Sequence, residues 1–137
     1  MHSKQKGMIG ETKVAAYLME RGYRVFTEMG DLSRIDLIAE KDQKLIRFQV
    51  KAYTTYRGKV EVKNSKSGPN YSFDYDGNDV DVFAVYVNDK DTIFFVNAKQ
   101  LCEQKSGMCF RETLPDNGQK KNVRLFDDYT LDKAMGP

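Results

Sequence analysis

Residues 30–52, GDLSRIDLIAEKDQKLIRFQVKA, decide the fold. Residues 35–40, IDLIAE, are mostly apolar and lie between two turn-forming segments, which predicts a short strand. Residues 44–53 then alternate between apolar and polar side chains, which predicts a second strand. A further short strand at residues 23–27 precedes both, so the region predicts a three-stranded antiparallel meander.

Several polar residues occupy apolar surroundings in these strands. Asp36 lies inside IDLIA, and Gln49 and Lys51 lie inside FQVKA, on the face opposite Phe48 and Val50. Side chains two residues apart on a strand project from one face, about 6.5 to 7 Å apart. Burying a charged or polar group is costly unless a partner compensates, so these positions point to a ligand.

A helix at residues 7–21 precedes the meander, and Gly22 is its predicted stop. At about 100° per residue, Glu11 falls in the middle of the apolar stripe of this helix. The other members of the stripe are Met8, Val14, Ala15 and Leu18. Glu11 therefore joins the set of polar residues at core positions, although an ion pair with Lys51 or Arg34 is an alternative explanation.

The chemistry that these residues suit is metal-assisted hydrolysis of a phosphodiester. Asp36, Gln49 and Glu11 offer the oxygen ligands that Mg²⁺ prefers. A bound metal can supply a nucleophilic water and neutralise phosphate charge. Lys51 would position or activate the water and stabilise the pentavalent phosphate.

These motifs resemble the PD-(D/E)XK nuclease core, in which an aspartate precedes a (D/E)-X-K strand by one hairpin. The sequence is most similar to small cyanobacterial intron-encoded homing endonucleases, in which glutamine likewise replaces the acid. Glu11 resembles the helical glutamate of archaeal Holliday junction resolvases. The resemblance implies Glu11, Asp36, Gln49 and Lys51 as catalytic residues. It implies Mg²⁺, with Mn²⁺ as a substitute, held by Asp36, Gln49, Glu11 and the backbone carbonyl of Val50.

The sequence departs from the family pattern in two places. Gly30 precedes Asp31, so the literal Pro-Asp pair is absent, and Asp36 is the better match because it lies within a strand. Gln49 in place of an acid removes one negative charge. This should weaken metal affinity or make metal binding depend more on Glu11. A catalytically silent DNA-binding protein on the nuclease fold is therefore also considered.

Composition restricts the alternatives. The chain has 137 residues, 40% of them hydrophobic, which predicts one domain over residues 1–137. A single histidine, His2, argues against histidine-based catalysis and histidine metal ligands. No apolar run is long enough to span a membrane, so we expect a soluble cytoplasmic protein of a bacterial, archaeal or phage-infected cell. Cys102 and Cys109 lack metal-site spacing and are expected to be plain thiols.

Residues 54–78 are rich in Tyr, Lys, Ser, Gly and Asn and are predicted to form a recognition loop or flap, with a short strand at 59–63. The formal net charge of +2 is permissive for nucleic acid, so binding must depend on local clusters. The predicted DNA-binding residues are Arg34, Tyr53, Arg57, Lys59, Lys63 and Lys66.

A buried hairpin is predicted at residues 80–87 and 92–96, followed by a helix at 98–103 with Asn97 as N-cap and a last helix within 125–134. The fold class is thus α/β, a restriction-endonuclease-like core with a central mixed sheet flanked by helices. The expected function is site-specific, homing-type cleavage of double-stranded DNA, with resolution of branched DNA as the second choice. Cutting both strands predicts a homodimer or homotetramer.

Overall fold

The computed structural model describes residues 2 to 136. A mixed five-stranded sheet in the order β1-β2-β3-β7-β8 forms its centre, and only the β3/β7 pair is parallel. The helices are α1 (Ser3–Glu20), α2 (Ala98–Cys102) and α3 (Leu131–Met135). The strands are β1 (Arg24–Phe26), β2 (Leu37–Lys41), β3 (Lys44–Tyr53), β4 (Lys59–Lys63), β5 (Ser65–Gly68), β6 (Tyr71–Asp74), β7 (Val82–Val87), β8 (Thr92–Asn97) and β9 (Gly107–Arg111). The predicted α/β class with a mixed central sheet is confirmed.

Helix α1 packs closely on one face of the sheet. Its buried residues are Gly10, Val14 and Leu18, and a Cβ on Gly10 would lie 3.2 Å from Cβ of Ala52. The helix begins at Ser3, four residues before the predicted start, because the His2 side chain caps it by accepting from the N–H of Lys4. It ends as predicted: Gly22 adopts φ +91°, and its N–H donates to the Met19 carbonyl at 3.0 Å.

The sheet divides the interior into two apolar clusters. Ile46, Phe48 and Val50 of β3 face α1, as the alternation predicts. The opposite face carries the second cluster, which includes Phe83, Val85 and Val87 of β7 and the buried residues of β4 and β9. Since Gln49 and Lys51 pair with Phe83 and Val85, they lie on this second face. The N-terminal meander β1-β2-β3 is antiparallel throughout, as predicted.

Strands β2 and β3 separate halfway along β3. The last cross-strand partners are Leu37 and Phe48, and the Asp36 N–H donates to the Phe48 carbonyl at 2.8 Å. Beyond this point β3 continues to Tyr53 with β7 as its only strand neighbour among the described residues. The fork leaves an open edge beside Gln49 and Val50, and this edge places the candidate site.

The strand predicted at residues 59–63 is present as β4, but residues 65–74, predicted as part of a recognition loop or flap, form two further strands. Val60 and Val62 are buried, and β4 pairs with β9 across a long stretch of chain. Strands β5 and β6 form a separate two-stranded hairpin. The apolar residues of β4, Val60 and Val62, pair with Phe110 and Met108, and local sequence does not reveal partners so distant in the chain. Whether the segment contacts DNA stays a prediction.

The C-terminal half follows the prediction in outline. Strands β7 and β8 form the expected hairpin, and the Asn97 side chain caps α2 by accepting from the N–H of Gln100. The predicted last helix is divided into a 3₁₀ turn (Phe126–Asp128) and α3, which Thr130 caps. None of the helices in the described chain is both long and apolar enough to cross a bilayer.

Candidate active site

A cleft of about 890 Å³ opens where β2 leaves β3. The carboxylate of Asp36 closes the fork, because its Oδ2 accepts the backbone N–H of Val50 at 2.8 Å. This contact supplies the acceptor that the missing β2 partner would have provided, so Asp36 is part of the sheet edge and of the cleft at once. Glu11, Gln49 and Val50 line the same cleft, so the structure brings together all four predicted metal ligands.

The two carboxylates stand in an environment that disfavours their charged forms. Burial raises the pKa of Asp36. The hydrogen bond from the Val50 N–H lowers this pKa, and the negative charge of Asp31 raises it. Burial also raises the pKa of Glu11, and Asp36 and then Asp31 raise it further. Within residues 2 to 136, neither Glu11 nor Asp36 forms an ion pair with a lysine or arginine. The charge of Lys66, which also lines the cleft, lowers both pKa values, but burial and the neighbouring carboxylates outweigh it. The two carboxylates thus lack a directly contacting cation.

The donor set contains two carboxylates, not three. Among the described residues, no three His, Cys, Asp or Glu side chains are grouped to hold a metal ion. Gln49 is 9% exposed and faces the cleft, so its amide oxygen can complete a set of hard oxygen ligands together with the Val50 carbonyl. The residues therefore fit a divalent cation that accepts mixed carboxylate, amide and carbonyl oxygens.

Lys51 is not among the residues that line this cleft, and the Tyr75 ring lies between the two. Its Nζ donates to the Lys63 carbonyl at 2.8 Å and stands 4.8 Å from the ring centroid of Tyr75, which lines the cleft. Burial lowers the pKa of Lys51 to about 8, and repulsion from Lys66 contributes. The ion pair of Glu11 with Lys51 or Arg34, the alternative explanation for Glu11, is not formed, because Lys51 bonds the Lys63 carbonyl and Arg34 pairs with Asp79.

The predicted DNA-binding residues separate into two groups. Arg34 and Lys66 line the cleft; Arg34 is held by an ion pair to Asp79 at 2.8 Å and lies 4.0 Å from the Phe73 ring. The others lie outside the cleft lining, around β4. Tyr53 is partly buried and its hydroxyl accepts the Lys63 N–H, Lys63 pairs with Glu61, and Arg57 and Lys59 are exposed.

A family model described as PD-(D/E)XK endonuclease matches residues 1–132 of the sequence. The chain belongs to this family. Among solved structures, that of the bacterial homing endonuclease I-Ssp6803I is similar, with a TM-score of 0.72 and 20% sequence identity. The similarity covers 88% of this chain and 84% of that chain, and it shows a shared fold. No curated protein matches the sequence closely enough to count as a relative.

For a PD-(D/E)XK endonuclease, whose family acts on DNA, the unexpected part of the cleft is the β5–β6 hairpin. Tyr71 and Phe73 of β6, with Tyr75 just beyond it, line the cleft together with Lys66 of β5. Sequence reasoning missed these aromatic residues. The alternation Tyr-Ser-Phe-Asp-Tyr directly after Pro69-Asn70 was a signal for a strand following a turn, and it could have identified the hairpin.

Proposed function

We propose that this endonuclease cleaves DNA in a Mg²⁺-dependent reaction, with Mn²⁺ as a substitute, and that it is a site-specific enzyme of the homing type. The observation that carries the proposal is the convergence of Glu11, Asp36 and Gln49 at the fork, where neither carboxylate forms an ion pair with a described lysine or arginine. Burying two neighbouring carboxylates costs free energy unless a metal ion binds between them.

Each residue has a defined part in the proposal. Asp36, Glu11, the Gln49 amide and the Val50 carbonyl hold the metal, which supplies Lewis-acid stabilisation of the phosphate and an activated water. Asp36 keeps its orientation because one carboxylate oxygen is fixed by the Val50 N–H. The flexible stem of Lys51 lets its ammonium leave the Lys63 carbonyl and reach the phosphate. Arg34 and Lys66 add positive charge at the cleft for the DNA backbone.

The homing role has the stronger support of the two nuclease alternatives. The similar solved structure is that of a homing endonuclease, and the Gln49-Val50-Lys51 variant agrees with that resemblance. Resolution of four-way junctions is supported by Glu11 alone. A duplex target cut on both strands requires two active sites, so we propose a homodimer or homotetramer. The substitution of an acid by Gln49 supports the silent DNA-binding alternative, which cleavage assays test directly.

The test compares cleavage of a supercoiled plasmid library carrying random inserts with cleavage of a synthetic four-way junction. We expect metal-dependent cutting of a few discrete plasmid sites with Mg²⁺ or Mn²⁺, and none with EDTA. Cutting of any junction at its branch point, with plasmids left intact, would assign resolution instead. Binding of DNA without cutting by either metal would support the silent alternative.

A single substitution tests the donor role of Gln49. Gln49→Glu should lower the metal concentration for half-maximal cleavage by about tenfold, because ligand charge tunes the affinity of oxygen sites. Without metal the variant should unfold more easily than the wild type, since a third carboxylate would join two that are already destabilised. Gln43→Glu adds the same charge in the exposed β2–β3 turn and is the matched control. An unchanged metal requirement in Gln49→Glu would remove Gln49 from the ligand set.

A further inference from the structure

The β5–β6 hairpin turns an aromatic and cationic face toward the cleft. Gly68 pairs with Tyr71 and Lys66 pairs with Phe73, so all four lie on one face of the hairpin. Lys66, Tyr71 and Phe73 line the cleft, whereas Ser72 and Asp74 project from the other side. Aromatic rings next to cations are the groups with which proteins bind unpaired nucleic acid.

The aromatic rings form a continuous series from the protein core to solvent. Phe83 of β7 is fully buried and contacts Tyr75 edge to face at 5.2 Å between ring centroids. Tyr75 contacts Phe73 at 5.3 Å, and Phe73 stacks on Tyr71 at 6.3 Å with 22° between the planes. The inner rings are therefore anchored, and the outermost ring is held in a defined orientation.

Tyr71 is the exposed end of this series. Its side chain is 50% exposed, and its ring lies across Gly68, where an added Cβ would be only 2.3 Å from a ring carbon. Glycine is thus required opposite Tyr71 for the ring to lie in this position. A half-exposed ring that the backbone holds flat offers a stacking surface at low entropic cost.

The cleft has a size suited to nucleotide units. Its volume of about 890 Å³ falls within the range of about 300 to 1,000 Å³ of small-molecule sites. The carboxylates and Gln49 line the same cleft as the aromatic rings, so a phosphate at the former and a base at the latter would occupy one cleft. Arg34 stacks on Phe73 and places positive charge at this junction.

We infer that the hairpin stacks an unpaired base beside the scissile phosphate, with Tyr71 as the contacting ring. The inference rests on the proposed function and adds a substrate class to it: DNA in which a nucleotide next to the cut is unstacked from the duplex. Stacking on aromatic side chains is sequence-tolerant, since every base has a π-face. Tyr71 thus acts as a specificity-determining residue for strand structure, separate from the metal ligands.

The test is binding in EDTA, so that cleavage plays no part. The probes are a short single-stranded oligonucleotide with a 2-aminopurine base and the same sequence as a duplex. The wild type should bind the single strand more tightly and quench the 2-aminopurine fluorescence. Tyr71→Ala should weaken single-strand binding roughly 10-fold or more, with a much smaller effect on the duplex. Tyr71→Phe should retain binding and quenching.

Two further variants keep the result specific. Gly68→Ala should reproduce the loss by displacing the Tyr71 ring without changing its chemistry. Tyr56→Ala removes a tyrosine that is 71% exposed and lies outside the cleft lining, so it should bind like the wild type. Equal binding by wild type and Tyr71→Ala, or equal losses for Tyr71→Ala and Tyr56→Ala, would overturn the inference. Cleavage by wild type in the separate plasmid assay tells this failure apart from failure of the nuclease proposal.

Discussion

Lys51→Met should reduce DNA cleavage about 10²- to 10⁴-fold, the range for loss of a positioned proton-transfer or charge-stabilising group. Lys51 is the cation of the predicted motif, and its Nζ is held at the cleft margin by the Lys63 carbonyl and the Tyr75 ring. Methionine keeps the length and apolar stem of the side chain, so the surrounding core stays packed. The loss should therefore appear in the cleavage rate at saturating metal and DNA, with folding intact.

Lys44→Met is the matched control, because Lys44 is exposed at the start of the same strand. It should cleave like the wild type. Comparable activity of Lys51→Met and Lys44→Met would exclude Lys51 from the reaction.

The pH profile separates two roles of Lys51. Because its pKa is lowered to about 8, the ammonium is mostly protonated at pH 7 and loses its proton as the pH rises through 8. Stabilisation of phosphate charge requires the protonated form, so we expect the Lys51-dependent part of cleavage to fall above pH 8. A rise through the same range would instead assign the neutral amine as the base.

The sequence was informative wherever a polar group interrupts a regular apolar pattern. Alternation along β3 correctly separated Gln49 and Lys51 from Phe48 and Val50, since strand side chains alternate between faces. The central sheet and the first helix followed from the same local periodicity. Asp36 stood out because its neighbours are apolar, and the structure explains this position: its carboxylate completes the hydrogen bonding of a forked sheet edge.

Contacts between distant segments could not be predicted in this way. Glu11 lies on α1, which packs on one face of β3, whereas Gln49 lies on the opposite face. The two side chains line one cleft because β2 does not extend past Leu37. Nothing local in residues 54–78 shows that β4 pairs with β9. Lys63 and Tyr53, two predicted DNA contacts, are engaged with Glu61 and with each other in the structure.

Asp36→Asn should abolish the response of the protein to metal and reduce cleavage by about 10³-fold, if the carboxylate supplies some 4 kcal/mol of transition-state stabilisation through the metal. Asparagine keeps an oxygen that can accept the Val50 N–H, so the fork itself should persist. Metal at 100 times its dissociation constant stabilises a protein by about 2.7 kcal/mol. Wild type should show this gain in thermal unfolding, and the variant should not.

The same variant should be more stable than the wild type when metal is absent. The pKa of Asp36 is raised in the folded state, so ionisation at neutral pH opposes folding, and this cost disappears as the pH falls below the unfolded-state pKa. The advantage of Asp36→Asn should therefore be present at pH 7 and vanish in acid. Asp42→Asn, in the exposed β2–β3 turn, makes the same chemical change and should show neither effect. If Asp36→Asn is less stable than the wild type at pH 7, the Asp36 carboxylate stabilises the fold, and the electrostatic cost expected of a metal ligand without its ion is absent.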